Sequence, residues 1–249
     1  SFSLFLVSSI FPFLSLPLSS SKFCRVFNIR NMLLLFTIAV LPALLLLVYM
    51  GWKDRQHPEP TSCLLKGLFF GVLSIVVSLS ITSMFGDFGD PILDAFFNAA
   101  IPEEFAKLLM FWLLIRKNKH FDEPIDSIVY AVYVSLGFAA VENILYLVDE
   151  EDFFSTAFSR AIFSVPGHFC FAVCMGFCYG MARFGHKSKI LYYPMAFIGP
   201  VLLHGTYDAL LMSLGDDDSW IIIILVWLVF CVLMYRAAIK RIDKLKDVG

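Results

Sequence analysis

The sequence predicts an all-α, polytopic membrane helical bundle of about seven transmembrane helices, with its N-terminus outside and its C-terminus inside. Three observations carry this: composition, the length of the apolar runs, and the sign of the charges between them. The chain is 59% hydrophobic and only 16% charged, with a mean hydropathy of +0.79. Soluble chains sit near 45–50% apolar and about 25% charged. A surface of the usual solvated kind cannot be made from this composition.

From Met32 onward the apolar runs cover approximately 32–52, 63–85, 92–115, 125–148, 156–182, 190–213 and 220–236. Each approaches the roughly 20 residues needed to cross a bilayer. They are read as helices, because a strand edge in lipid would leave backbone groups unsatisfied. The connections are short and polar, and none has room for a second soluble domain.

Loop charge sets the orientation. Lys53 and Arg55, then Arg116, Lys117 and Lys119, then Arg183, Lys187 and Lys189 occupy alternate loops, and Arg236, Lys240, Arg241, Lys244 and Lys246 follow in the tail. The intervening loops carry only acids: Asp87 and Asp90, then Asp149, Glu150, Glu151 and Asp152, then Asp216, Asp217 and Asp218. Short basic loops stay cytoplasmic, so the first helix starts outside. Residues 1–31, rich in Ser, Phe and Leu, break the alternation if counted as an eighth span. They are read as an upstream extension or a leader, and residues 32–249 as the functional domain.

A net charge of −2 excludes a basic footprint for nucleic acid, and no nucleotide is expected as a partner. Cys24, Cys63, Cys170, Cys174, Cys178 and Cys231 contain no CxxC pair and mostly lie in apolar runs, which argues against a disulfide framework. The Cys170, Cys174, Cys178 row points about 200° away from His168 on a helix and reads as small-residue packing. His57, His120 and His186 fall in loops and read as solvated.

Ionisable side chains at membrane depth are costly and mark function by default. The third run holds Pro102, Glu103, Glu104 and Lys107; the fourth holds Phe138, Glu142 and Asn143. The fifth holds Arg160, Pro166 and His168, and the sixth Pro200, His204 and Asp208. At about 1.5 Å per residue, Glu103 and His168 lie roughly 16–18 Å below the outer ends of their runs, His204 about 14 Å and Glu142 about 9 Å. The helix directions alternate, yet all four fall between the midplane and the outer leaflet, which argues for one site. Glu103 and Lys107, and likewise His204 and Asp208, share a face at i,i+4 spacing. Arg160, nearer the outside, is expected to hold an acidic loop or a substrate carbonyl. Pro102, Pro166 and Pro200 each free a backbone carbonyl one to four residues before a candidate residue, and irregular backbone in membranes is tolerated where it lines a wet cavity.

Each feature has a plainer reading. Pro-Glu-Glu is a common helix start, a lone buried His is often a packing residue, and Glu142-Asn143 suits a polar tie between helices.

In order along the chain, Glu103-Glu104-x-x-Lys107, Phe138-x-x-x-Glu142-Asn143, Arg160…Pro166-Gly167-His168 and His204-x-x-x-Asp208 resemble the PrsW family of intramembrane proteases, part of the wider group that contains the CAAX prenyl endopeptidases. The Asp54-Arg55…Pro58-Glu59-Pro60 loop is similar too, and the resemblance spans nearly all of 32–249. It implies an endopeptidase of the bacterial plasma membrane that cuts a membrane-anchored protein, of the anti-sigma-factor kind, near its outer side.

On that reading Glu103 or Glu104 is the general base for water, and Lys107 holds the other glutamate. His168 and His204 polarise the carbonyl or stabilise the oxyanion, and Asp208 orients His204. A zinc version uses the same groups, His168 and His204 with Glu103, Glu104 or Glu142; HExxH is absent, so the ligands would come from separate helices. A proton-coupled transporter built on a Glu/His relay and a non-catalytic scaffold are the alternatives.

Overall fold

A computed structural model describes residues 29–148, 153–185, 188–213 and 220–246. Every regular element among them is helical. Helix α1 is Ile29–Lys53 and α2 is Thr61–Thr82. Helix α3 is compound: Pro91–Leu93, a π-helical stretch Asp94–Ala100, then Ile101–Ile115. Helix α4 is Asp126–Val148. Helix α5 joins Phe153–Ser159, a π-helical stretch Arg160–Ser164 and Val165–Arg183. Helix α6 is Lys189–Met212 and α7 is Trp220–Lys246. The acidic runs 149–152 and 216–218, Lys187, His186 and most of the 1–31 stretch lie outside the described residues.

Four helical stretches are long and apolar enough to cross a membrane: Thr61–Thr82, Asp126–Leu147, Thr156–Arg183 and Lys189–Met212. In α1 the apolar stretch Thr37–Lys53 is shorter. Helix α7 runs past Arg236, where the apolar run stops, and its basic tail continues as helix to Lys246. There Lys53 donates to Asp243 at 2.5 Å, which puts the ends of α1 and α7 at the same end of the bundle.

Helices α4 and α5 form the core pair. Tyr130, Leu136, Phe138, Phe171 and Met175 on these helices are almost fully buried. Lipid is as apolar as leucine, so helix association in a membrane depends on close packing rather than on hydrophobic gain. Gly71 and Gly137 make that possible between α2 and α4: a Cβ on Gly71 would sit 2.1 Å from the Val134 carbonyl oxygen. Leu45, Val48, Phe69, Val76, Val229 and Leu233 point outward and remain exposed. An apolar exterior of this extent fits a membrane environment.

The two π-helical stretches each end just before a proline. A π turn is an i→i+5 insertion that often marks a functional site. The Ile101 N–H bonds the Phe96 carbonyl and the Val165 N–H bonds the Arg160 carbonyl, five residues back in each case. Pro102 cannot bond the Asn98 carbonyl, and that carbonyl instead accepts the Thr82 hydroxyl at 3.1 Å. The start of α3 is capped by Asp90, whose side chain accepts from Ile92 N and Leu93 N.

Candidate active site

The widened turns deliver polar side chains to one cavity of about 420 Å³, within the usual range for ligand sites. Its lining comes from the second halves of α2, α4 and α6 and the first parts of α3, α5 and α7. Those helix halves share one end of the bundle. Among the residues singled out from sequence, Glu103, Phe138, Glu142, Arg160, His168, His204 and Asp208 line the cavity.

Lys107 organises the site from beneath. It is 1% exposed, lies 4.1 Å from the Phe138 ring centroid, and its three ammonium hydrogens meet three acceptors. These are Glu103 Oε2 at 3.1 Å, Glu104 Oε1 at 2.9 Å and His168 Nδ1 at 3.1 Å. An ammonium only donates, so Nδ1 of His168 accepts and its ring hydrogen sits on Nε2. That nitrogen then donates to Glu142 Oε2 at 2.8 Å.

His204 is held differently. Its Nδ1 meets Glu104 Oε1 at 2.9 Å and its Nε2 meets Asp208 Oδ2 at 3.1 Å, with Glu103 Oε2 at 4.0 Å. Phe171 stacks on the ring at 4.7 Å and 15°, which fixes its plane. The two imidazoles are 5.5 Å apart.

The adjacent glutamates therefore separate. Glu103 lines the cavity, with 13% of its side chain exposed, whereas Glu104 is fully buried behind it, between Lys107 and His204. Asn143 does not line the cavity: it donates to the Ala39 carbonyl of α1 and accepts from Arg160 Nε. Arg160 donates to Glu142 Oε2 at 2.8 Å and lies 3.9 Å over the Tyr146 ring; the acidic loops beside it lie outside the described residues. With Glu142 one residue before Asn143, a single guanidinium reaches both.

Several cavity residues carried no signal of their own in the sequence, among them Asn98, Tyr146, Tyr207 and Trp227. Tyr146 follows Glu142 by one helical turn, and Phe171 follows His168 by three residues, so helical spacing was the available clue. The cysteine row packs: Cys170 and Cys178 are buried, and Cys174 Sγ lies 2.9 Å from where a Gly199 Cβ would stand. His57, though exposed, pairs with Glu123 at 2.6 Å.

Four carboxylates (Glu103, Glu104, Glu142 and Asp208) face two fixed cations, Lys107 and Arg160. A family model described as PrsW family intramembrane metalloprotease matches residues 59–235. The chain belongs to the PrsW family. It is similar to the Protease PrsW of Geobacillus kaustophilus, 40% identical over 182 residues, which cover 72% of this chain and 80% of that protein. The Protease PrsW of Bacillus subtilis is 34% identical over 222 residues, 88% of this chain and 98% of its own length. That of Clostridioides difficile is 33% identical over 220 residues, covering 84% and 90%. No solved structure matches the chain. As a PrsW-family member it is an intramembrane protease, a hydrolase acting on protein in a membrane.

The residues present also fit the metal in the family's description. The ligand atoms of Glu103, Glu104 and His204 lie within 4.8 Å of one another, as do those of Glu103, Glu142 and His168. Glu104 Oε2 is buried without a hydrogen-bond partner, an acceptor that a cation would satisfy. The first group suits an ion better. A ligating imidazole normally has an acceptor behind its other nitrogen; both nitrogens of His204 face carboxylates, whereas Nδ1 of His168 faces the Lys107 ammonium.

Proposed function

We propose that this PrsW-family protease is an endopeptidase that cuts a membrane-anchored protein near its extracytoplasmic side, with Glu103 taking the proton of the attacking water. The substrate class is a single-span protein with an extracytoplasmic domain, of the anti-sigma-factor type, and the bundle crosses the membrane seven times with the start of α1 outside. The observation that carries the reading is the single cavity in which Glu103, Glu142, His168, His204 and Asp208 meet. It lies at the end of the bundle that loop charge assigns to the outer face.

Glu103 is the base because it is the cavity-facing member of its pair, and Lys107 fixes its Oε2. Glu104 bonds His204 Nδ1 through Oε1 and keeps Oε2 buried without a partner, while Asp208 meets Nε2 at 3.1 Å. His168, with its hydrogen on Nε2 beside Glu142, and His204 are the groups able to polarise a peptide carbonyl or stabilise the oxyanion. Glu104 and His204, with Glu103 or Asp208 completing the set, would hold a zinc ion. When bound, such an ion supplies Lewis acidity to the carbonyl.

The test uses the purified full chain in liposomes with a single-span peptide substrate. Removing a general base costs roughly 10²–10⁴ in rate, so Glu103→Gln loses at least a hundredfold and His204→Ala loses a comparable factor. Thermal scans check that both variants remain folded. Cleavage within tenfold of the wild type in folded Glu103→Gln overturns the assignment.

A further inference from the structure

We infer that α3, α5 and α6 form a binding site for one anionic phospholipid, at the end of the bundle opposite the catalytic cavity. A second hollow, of about 300 Å³, lies between these helices and is lined by Leu108, Trp112, Tyr179, Tyr193 and Ala196, with Phe105 farther in. Phe105 meets Phe197 edge to face at 6.3 Å and stands at the inner end of the groove. Tyr179 and Tyr193 meet at 5.3 Å across it. The hollow contains no carboxylate and no site residue.

The charge around it identifies the occupant. Each of three groove aromatics has a cation one helical turn toward the same end of the bundle: Trp112 has Arg116, Tyr179 has Arg183, and Tyr193 has Lys189. Residues four apart on a helix share a face, and α6 runs opposite to α3 and α5. The three cations therefore stand one turn beyond the groove aromatics on three separate helices, Arg183 lying 5.5 Å over the Phe184 ring. All three are exposed. Arg116 lies 5.1 Å over the Trp112 ring. Among the described residues, none of the three has a carboxylate partner in the ion pairs of the bundle.

An aromatic girdle with cations beyond it marks the membrane interface, and basic pockets between helices there suit acidic headgroups. The acyl chain takes the apolar groove and the phosphate takes the three cations. From Phe105 to Trp112 the groove is about 10 Å long, room for part of one acyl chain.

Native mass spectrometry of the full chain in detergent tests the site, with phosphatidylglycerol or phosphatidylcholine of the same acyl chains added. The wild type is expected to retain one phosphatidylglycerol at least tenfold more tightly than phosphatidylcholine. The triple variant Arg116→Gln, Arg183→Gln, Lys189→Gln loses that preference. Leu108→Trp fills the groove with the cations intact and loses retention; Ala196→Phe does the same from the opposite wall if Leu108→Trp does not fold. A control, Lys240→Gln with Arg241→Gln on α7, keeps it. Equal retention of the two lipids, unchanged retention in the triple variant, or unchanged retention in a folded groove-filled variant overturns the proposal. Displacement of the lipid by a single-span peptide substrate, one for one, assigns the groove to substrate and overturns it as well.

Discussion

Replacing Lys107 by Met isolates the pair on which the whole site rests. Lys107 is 1% exposed and donates to two carboxylates and an imidazole, so its loss removes the ammonium that Glu103 and Glu104 bond at 3.1 and 2.9 Å. Breaking a buried pair by removing one partner costs about 3–5 kcal/mol. For a chain of this size each kcal/mol shifts the melting temperature by about 2–4 °C, so Lys107→Met should melt roughly 6–20 °C lower. The informative measurement is the double-mutant cycle. Glu104→Gln added to Lys107→Met removes the stranded charge that is 0% exposed, and the double variant should regain about 1–3 kcal/mol relative to additivity. It should nevertheless remain inactive, because Glu103 and His168 have lost their common donor. The assay is thermal unfolding in detergent alongside peptide cleavage. Coupling below about 0.5 kcal/mol would refute the view that Lys107 and Glu104 form one electrostatic unit.

Other outcomes follow from the same structure. A chelator should abolish cleavage and zinc should restore it; purified His204→Ala should carry far less metal than the wild type, and full activity after metal removal would exclude an ion at this site. Gly71→Ala drives a Cβ to 2.1 Å from the Val134 carbonyl oxygen, a backbone atom that cannot turn aside. A loss near the upper end of the roughly 1–3 kcal/mol overpacking range is expected in a melting experiment, and an unchanged melting temperature would mean that α2 and α4 are not locked there. At the opposite end, Asp54 is buried and its carboxyl is pushed up to about 7, chiefly by burial, with the Glu59 backbone N–H partly opposing. The fold thus favours the protonated form, and this contribution to stability, complete below about pH 4, is lost as pH rises through about 7. Between about pH 5 and pH 8 the melting temperature of Asp54→Asn should fall less than that of the wild type; equal falls would contradict the burial argument.

Much of the site was legible because a membrane makes polar residues conspicuous. Glu103, Glu142, His168 and His204 stand out against apolar runs, and equal depth on alternating helices is a geometric coincidence that one cavity explains. The partners of Arg160 were less legible. One π turn sets it over Tyr146 and against Glu142 and Asn143. A π insertion shifts every later side chain by about 100°, and nothing in a run such as Arg160–Ser164 announces it. Asn143 likewise reads as part of a motif, but what it grips is the Ala39 carbonyl, a group without any side-chain signature.

The order and chemistry of the motifs, the helical class and the family resemblance were present in the amino-acid sequence, because lipid solvation permits few alternatives to apolar helices with their costly residues turned inward. Which of two neighbouring glutamates meets the cavity was not. Glu103 and Glu104 are chemically identical and about 100° apart on one helix. Only the rotation of α3, set by its packing and its π turn, exposes Glu103 to the cavity and seals Glu104 behind it.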